Sequence, residues 1–469
     1  MTGWRRKPPL PGRARRRPAP DAMNPRRLRT CIVALACLVV SARVRALSLE
    51  AGVARADITP PSGLLLQGYP DPDSKRIATG VRDPLFARVL VLRVGEVRLA
   101  IVDLDLVAVF RPASLAQIRE ATRQDVSNLI VTAIHTHSGP PVFRSDSSKP
   151  EPWETSALDK IAGAVHEAAS HLVPAKLGVG YGDCQVGHNR LRIERDGSVT
   201  WFEKDWTGTP TAPADPTVAV LRIDDMGGQP LAVLFNYACH PVIYAPDNRL
   251  YSADFPGVMT GVVERAVGGK AVCFYLQGGA GDINPNYAAS TLPQGAEEFC
   301  RRTGEELGRV AAGVAVKIQT VESADPSLQV VDDTITVGPR WDAALWKAAD
   351  PGSADRIANM TKPGYDLKVT TVLIDKSIAI LAVPGEPFVD FQLSWRARCP
   401  VHDCLFMGYS DGYFGYFPTI RAASWGGYGA SFPSTWVEVG TGEQLLDRGV
   451  ARVYEMLGML KPVAEDLRK

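Results

Sequence analysis

The chain has 469 residues, 45% hydrophobic and 22% charged, a balance that excludes a collagen, a coiled coil and wholesale disorder and leaves room for one large domain or two ordinary ones. Its formal charge of +1 hides an uneven distribution: residues 1–46 hold twelve Lys/Arg and one acidic residue, Asp21, and the remainder holds 40 basic and 50 acidic residues, a net −10. An acidic body speaks against a nucleic-acid partner and against electrostatic docking on anionic lipid, both of which need clustered Lys/Arg.

The N-terminus reads as an export signal. Arg26, Arg27 and Arg29 precede the apolar run Cys31–Val40, and Val44-Arg45-Ala46 fits a signal-peptidase site. The apolar run is ten residues, too short to span a bilayer, so the expectation is a cleaved signal peptide and no transmembrane segment in the mature chain; a short uncleaved anchor is the alternative. Residues 1–22, upstream of Met23, read as an extension.

Beyond residue 46 the chain alternates. Apolar, β-branched runs at Ala87–Arg93, Arg98–Val107 and Asn128–His135 predict strands, with helical periods at Pro112–Gln124 and Glu154–Leu172. Strands follow at Thr217–Ile223, Leu231–Cys239 and Ala271–Leu276, with helices at Pro256–Val267 and Ala296–Ala315. The last stretch reads as strands at Leu367–Ile374 and Ser377–Val383, then helices at Phe388–Arg398 and Glu443–Met459. Strands alternating with helices predict an α/β fold with a mixed or largely parallel sheet flanked by helices. Gly/Pro/Asp-rich stretches near Arg195–Pro216 and Arg340–Pro363 are too diffuse to divide the chain, so residues 47–469 read as one domain.

In open α/β sheets ligands bind beyond the carboxyl ends of the strands. The polar residues that follow the apolar runs form a short set: Ile134-His135-Thr136-His137-Ser138-Gly139-Pro140, Cys239-His240-Pro241, Gln277–Pro285, Pro384-Gly385-Glu386-Pro387 and the aromatic run Gly408–Tyr416. Only seven histidines exist, and three of them, His135, His137 and His240, lie at strand ends. Imidazoles with a carboxylate such as Glu386 are the donors a zinc site uses. Strand alternation would put His135 and His137 on one side, one as ligand and the other as acid or base. The competing reading is a set of structural histidines near turns. His166 and His171, on a helical segment, read as surface or packing residues.

Two other motifs compete. Gly408-Tyr409-Ser410-Asp411-Gly412 matches the nucleophile elbow G-x-S-x-G, yet no histidine follows residue 402, so the triad order of that fold cannot be completed. Gly278-Gly279-Ala280-Gly281 lacks the Lys-Ser/Thr of a phosphate-binding loop and reads as a close backbone turn. Tyr409, Tyr413, Tyr416 and Tyr428 cluster, and spacing alone leaves open whether they pack or reach the site. Six cysteines remain after residue 46; none forms C-x-x-C, Cys399 and Cys404 are the candidate disulfide pair, and Cys239 and Cys273 read as buried thiols.

These turns, in this order, resemble the neutral/alkaline non-lysosomal ceramidase family. The likeness begins at Gly52–Pro60 and runs through Gly68-Tyr69, Asp83-Pro84-Leu85, His135–Pro140, Asn189-Arg190, His240-Pro241, Ser252-Ala253-Asp254, Gly281–Asn286, Gly385-Glu386 and the Tyr413–Tyr428 segment. It implies a zinc ion held by His135, His240, Glu386 and Tyr416, with His137, Tyr428 and Arg190 as catalytic groups facing the substrate. Asn189 and Asn284 are then substrate-binding candidates, and Asp254 and Asp282 orient the ligands or hold their turns. Two departures stand out: Asn284 occupies the place of a serine that ceramidases carry, and the chain ends soon after Glu443–Met459, where ceramidases continue into a β-sandwich domain. The expected function is an exported zinc-dependent hydrolase that cleaves an amide (N-acyl) bond of a small-molecule or lipid-like substrate by attack of metal-bound water. A hydrolase of the same fold acting on an unrelated ester, peptide or carbohydrate-derived substrate, or a binding protein that keeps the fold, is the alternative.

Overall fold

The computed structural model describes residues 47–69, 76–142, 152–201, 204–205, 212–349, 358 and 360–460. The expected export signal in residues 1–46 lies outside them. From Leu47 onward the described residues form one compact unit.

The strands and helices in chain order are β1 (Glu50–Asp57), β2 (Phe86–Val94), β3 (Val97–Leu104), α1 (Pro112–Thr122), β4 (Asn128–Ala133), α2 (Pro152–Ser170), β5 (Val173–Asp183), β6 (Thr217–Asp225), β7 (Pro230–Tyr237), α3 (Asp254–Ala266), β8 (Val272–Gln277), α4 (Ala296–Ala315), β9 (Leu328–Val337), β10 (Tyr365–Ile374), β11 (Ile378–Ala382), α5 (Val389–Arg398), β12 (Asp403–Met407) and α6 (Thr441–Met456). Eight of them form a sheet in the order β8-β7-β6-β5-β1-β2-β3-β4. The sheet is mixed: β7–β8 and β3–β4 pair in parallel, and every pairing between them is antiparallel. A second sheet has the order β9-β10-β11-β12, with only β11–β12 parallel.

Alternation along each strand builds the layers. Val89, Val91 and Val102 face helices α1 to α4 and meet Ile118, Ile161, Val165, Met259 and Leu307. Their neighbours Leu90, Leu92, Leu99 and Ile101 face the other way and pack on Val372, Ile374, Ile380, Leu405 and Met407 of the second sheet. The outer face of that sheet, through Leu381 and Phe406, is covered by Trp395 of α5 and by Leu445, Leu446 and Val453 of α6. The order is helices, sheet, sheet, helices.

Hydrogen bonds join segments that the strand order sets far apart. Gln277 Nε2 at the end of β8 donates to Ile134 O just past β4 at 2.9 Å, and Tyr275 N donates to Asp103 Oδ2 at 3.0 Å, so the two edges of the large sheet meet. Asn236 ties the sheets together, donating to Phe406 O at 2.7 Å and accepting from Phe406 N at 3.0 Å. The carboxyl ends of β4, β7, β8, β11 and β12 therefore converge.

Of the labelled strands, β1, β5, β9 and β12 have no counterpart among the expected strand ranges, β12 being implied only as the run before Gly408. β1 and β5 are rich in Ala and Gly (EAGVARAD, VPAKLGVGYGD), and β9 carries an acidic pair in its middle, so their β-propensity is low. In β5 the glycines are a packing requirement: a Cβ at Gly180 would come 2.9 Å from Val314 of α4 and from Ile318 just beyond it. All six cysteines among the described residues are free thiols. The expected Cys399–Cys404 disulfide is not formed; the two thiols are hydrogen-bonded across the turn from α5 to β12. Cys239 and Cys273 are fully buried, as their apolar surroundings imply.

Candidate metal centre and active site

Each converging strand delivers one part of the site. β4 ends at Ala133, and His135 is in the left-handed region at φ 75°, so the expected strand alternation does not operate there. The turn nonetheless aims both histidines inward: His137 Nε2 lies 3.2 Å from His135 Nε2, while Thr136 Oγ1 turns away to donate to Ser252 O at 2.7 Å. His240 follows β7, with its ring 4.7 Å from that of His135. Glu386 follows β11, and its two-residue ladder pairs it directly with Tyr416.

The donor atoms are fixed by what lies behind them. His135 Nδ1 is 2.5 Å from Val107 O, and His240 Nδ1 is 2.6 Å from Ala280 O. Carbonyls accept only, so both Nδ1 atoms carry the proton and both Nε2 atoms present lone pairs. Glu386 Oε2 lies 3.3 Å from His135 Nε2 and 3.2 Å from His240 Nε2. Its Oε1 accepts a short hydrogen bond from the Tyr413 hydroxyl. Burial opposes charge on Glu386, but His135 and His240 in their protonated form outweigh it and hold the carboxyl well below its usual range, a role that a cation between them would take over when the imidazoles are neutral. Burial, with the neighbouring Arg190, lowers His240 to about 4. Burial and the two neighbouring imidazoles lower His137 in the same direction, so it is neutral near pH 7.

Two imidazole lone pairs and a carboxylate oxygen meeting without protons between them repel one another, and a cation at their centre removes the conflict. The residues present fit a metal ion. His135, His137 and His240 by themselves form a group that could hold one, and Glu386 adds an oxygen donor to it.

Around this cluster the other expected residues fall into two groups. Tyr416 is buried with its ring parallel to His240, at 12° and 6.4 Å. Burial pushes its phenol well above the usual value, with Arg190 opposing. Arg190 is buried with its guanidinium over Tyr416 at 5.3 Å and over Tyr428 at 4.8 Å. It donates to Gly281 O at 2.5 Å and to Asn284 Oδ1 at 3.3 Å. Tyr428 meets Tyr416 edge-on at 5.6 Å and is 40% exposed, at the outer end of the set.

The second group holds backbone. Asn189 donates to Pro213 O and Asp282 Oδ2 and accepts from Leu191 N, a full set of frame contacts for a residue expected to bind substrate. Asp282 Oδ1 accepts from Val389 N at 2.8 Å, tying the Gly281 turn to the segment after Glu386. Asp254 Oδ2 accepts from Ile243 N and Tyr244 N and so holds the turn after His240.

Several site residues were not singled out by sequence reasoning. Tyr413 was one member of an undivided tyrosine cluster. Tyr409 lays its ring 4.4 Å from His135. Tyr69 meets His137 edge-on at 4.9 Å, and Arg76 donates to His137 O at 3.2 Å. Val107 O and Ala280 O are backbone atoms, for which sequence carries no signal. Ser410 of the G-x-S-x-G string is 1% exposed and donates to Gly408 O at 2.9 Å, a turn contact.

The family model of neutral/alkaline non-lysosomal ceramidases, N-terminal part, matches residues 49–338, more than half of the chain. The chain belongs to this family. A neutral ceramidase of Pseudomonas aeruginosa is 25% identical over 277 residues, which cover 55% of this chain and 40% of that protein. One of Mycobacterium tuberculosis is 25% identical over 297 residues, 55% of this chain and 44% of that protein. Neutral ceramidase A of Dictyostelium discoideum is 24% identical over 276 residues, 53% of this chain and 37% of that protein. The matches thus span less than half the length of these relatives. The crystal structure of the Pseudomonas aeruginosa neutral ceramidase shares the fold at a TM-score of 0.71 and 18% identity, covering 89% of this chain and 76% of that one. The family match ends before Glu386, Tyr413, Tyr416 and Tyr428, which the second sheet and its loops contribute.

Proposed function

We propose that this chain is a zinc-dependent amidohydrolase that cleaves an N-acyl bond of a ceramide-like lipid substrate, exported through its N-terminal segment. The observation that carries the reading is the convergence of His135 Nε2, His240 Nε2 and Glu386 Oε2 at 3.2–3.3 Å with both Nδ1 atoms anchored on carbonyls. His135, His240, Glu386 and Tyr416 would hold the ion. Zinc bound there supplies a Lewis acid for the scissile carbonyl and lowers the pKa of a water.

The remaining chemistry belongs to side chains. His137, neutral and with Nε2 turned toward the cluster, takes the proton of the attacking water and returns it to the leaving nitrogen. Arg190 stays charged because the surrounding phenols and Glu386 outweigh its burial, and with the Tyr428 hydroxyl it stabilises the developing oxyanion. Asn284 fixes Arg190 through Oδ1 and cannot serve as an acyl-accepting nucleophile, so water attacks directly. No helix among the described residues is long and apolar enough to cross a membrane. A different acyl-bond substrate on the same machinery is favoured by Asn284, the point where the chain leaves the ceramidase pattern.

The test is metal analysis with a panel of N-acyl substrates. About one zinc per chain is expected, lost in His135→Ala and in His240→Ala but kept in His137→Ala, which loses about 10²–10⁴-fold in turnover. Full metal in the first two variants, or no hydrolysis of any N-acyl compound by the zinc-loaded protein, overturns the proposal.

A further inference from the structure

Tyr428 is the outermost of the groups assigned to chemistry, and its backbone does little to place it. It stands between Gly427 and Gly429, both in the left-handed region at φ 87° and 80°, with Gly426 at φ 79° just before. A run of such glycines gives the chain wide freedom. The Tyr428 ring is nevertheless held by two groups. Arg190 lies over it at 4.8 Å, and Trp201 stacks on it at 4.9 Å with 24° between the planes. The Tyr428 ring is thus in contact with the guanidinium and the indole at once.

Trp201 is placed by structure independent of the metal cluster. It ends a short hairpin in which Leu191–Ile193 pairs with Val199–Trp201, and Trp201 stands opposite Leu191. Residues directly opposite share a face, so Leu191 and Trp201 present one apolar surface toward the glycine loop. A Cβ on Gly427 would lie 3.1 Å from Val199 and 3.7 Å from Leu191, which shows how closely loop and hairpin approach. The same hairpin begins directly after Arg190, so one segment carries both the guanidinium and the indole that contact Tyr428.

We infer that Trp201 is a positioning residue: its indole fixes the Tyr428 ring over Arg190 and so places the Tyr428 hydroxyl for the reaction. Trp201 is 41% exposed and stacks on Tyr428, the residue through which it acts. A stacked aromatic pair supplies a modest energy beyond its buried area, enough to hold one orientation against a glycine-flanked backbone. The inference rests on the hydrolase reading for its kinetic consequence and on geometry for its structural one.

The test uses the full chain with zinc bound and compares Trp201→Ala, Trp201→Phe, Tyr428→Ala and the double variant Trp201→Ala/Tyr428→Ala. Trp201→Ala is expected to lower kcat about tenfold, equivalent to about 1.4 kcal/mol, with KM and metal content little changed. Trp201→Phe, which keeps a stacking ring, should recover most of that loss. In the Tyr428→Ala background the Trp201→Ala change should have no further effect. A second readout needs no turnover. In protein labelled with 3-fluorotyrosine, the Tyr428 fluorine resonance, assigned by its loss in Tyr428→Phe, should move in Trp201→Ala and return in Trp201→Phe. If the wild-type chain hydrolyses no N-acyl substrate, the functional reading fails and the fluorine spectrum alone decides the placement. An unmoved resonance, or an equal kcat loss with and without Tyr428, overturns the inference.

Discussion

Gly68 is the position where one added carbon should disable the site without unfolding the protein. Its φ is 120°, a conformation that side chains rarely adopt, and a Cβ there would lie 2.4 Å from Cγ, 2.6 Å from Cβ and 2.7 Å from Nδ1 of His137. Ordinary contact needs about 3.5 Å, so either the imidazole or the Gln67–Tyr69 loop must retreat by about 1 Å. The loop is held, since Gln67 N donates to Gly139 O at 2.9 Å and the Tyr69 hydroxyl donates to Tyr244 O at 2.6 Å. The His137 main chain is held as well, by Arg76 on its carbonyl, so the displacement falls on the ring. A misplacement of about 1 Å in a catalytic group costs about 10²-fold in rate. Gly68→Ala should therefore lose about 10²-fold in kcat/KM while keeping metal. The decisive assay is a double-variant cycle with His137→Ala. His137→Ala removes Cγ and Nδ1 but keeps Cβ, 2.6 Å from the added carbon, so some strain remains. The loss that Gly68→Ala causes through the ring cannot be suffered twice, and the double variant should fall well short of the sum of the two single losses. Activity of Gly68→Ala within about threefold of wild type, or additive losses in the double variant, would refute the argument.

Tyr413→Phe removes the donor to Glu386 Oε1 and should weaken zinc binding about 10–100-fold in chelator competition; an unchanged affinity would show that Glu386 needs no such support. Ser410→Ala should leave turnover and metal content near wild type, because the hydroxyl serves only Gly408 O, and an acyl adduct trapped on Ser410 would contradict this. Asp103 is fully buried with Oδ1 lacking a hydrogen-bond partner among the described residues, and burial raises its carboxyl from 3.8 to about 8. Between those pH values the folded chain keeps a proton that the unfolded chain has lost, so the contribution of Asp103 to stability falls as pH rises through that window. Asp103→Asn removes this slope, and its gain over wild type in urea midpoint should grow from pH 4 to pH 8; a gain independent of pH would count against it.

The elements most legible in the sequence are those whose period is set by a single buried face. α4 is expected and found at Ala296–Ala315, since Cys300, Leu307, Ala311 and Ala315 recur on one side and meet the large sheet. β1 and β5 were invisible because small residues there answer to helices packed across them rather than to strand propensity. At Gly52 a Cβ would fall 2.1 Å from Ala168 O, so the strand is glycine-bearing for a tertiary reason. The convergence of His135, His137, His240 and Glu386 was legible as residue types at strand ends, because these polar residues follow apolar runs at a tight turn. The supporting contacts were not, because backbone carbonyls leave no trace in residue identity and Tyr413 differs from its neighbours only in where its hydroxyl ends. The sheet expected as mixed or largely parallel is mixed: parallel pairs occur where a helix returns the chain, at β3–β4 and β7–β8, tight hairpins join β2–β3 and β6–β7, and longer connections set the remaining antiparallel pairs, whose places the sequence pattern does not mark.

Four of the non-glycine residues with left-handed backbone, His135, Asp254, Tyr409 and Asp411, lie in the site or in turns that hold it. Each such residue costs of order 1 kcal/mol and persists only where surrounding contacts over-determine it. Those contacts are present. His135 N donates to Leu106 O at 2.9 Å, and Tyr409 N to Gly385 O at 2.9 Å. The Asp411 carboxylate accepts from Val131 N and Arg119 and is ion-paired with Lys368; these three lie on β4, α1 and β10. Asp254 takes three backbone amides, those of Ile243, Tyr244 and Phe255. None of these contacts involves an Nε2 atom or Glu386 Oε2. The turns are thus bent into place by bonds that do not depend on the metal, and the lone pairs converge because the two sheets and their edges are tied together. A site assembled in this way has most of the ordering cost of its donors met by folding, so a metal ion bound there would need only to relieve the repulsion among donors already aimed at one point.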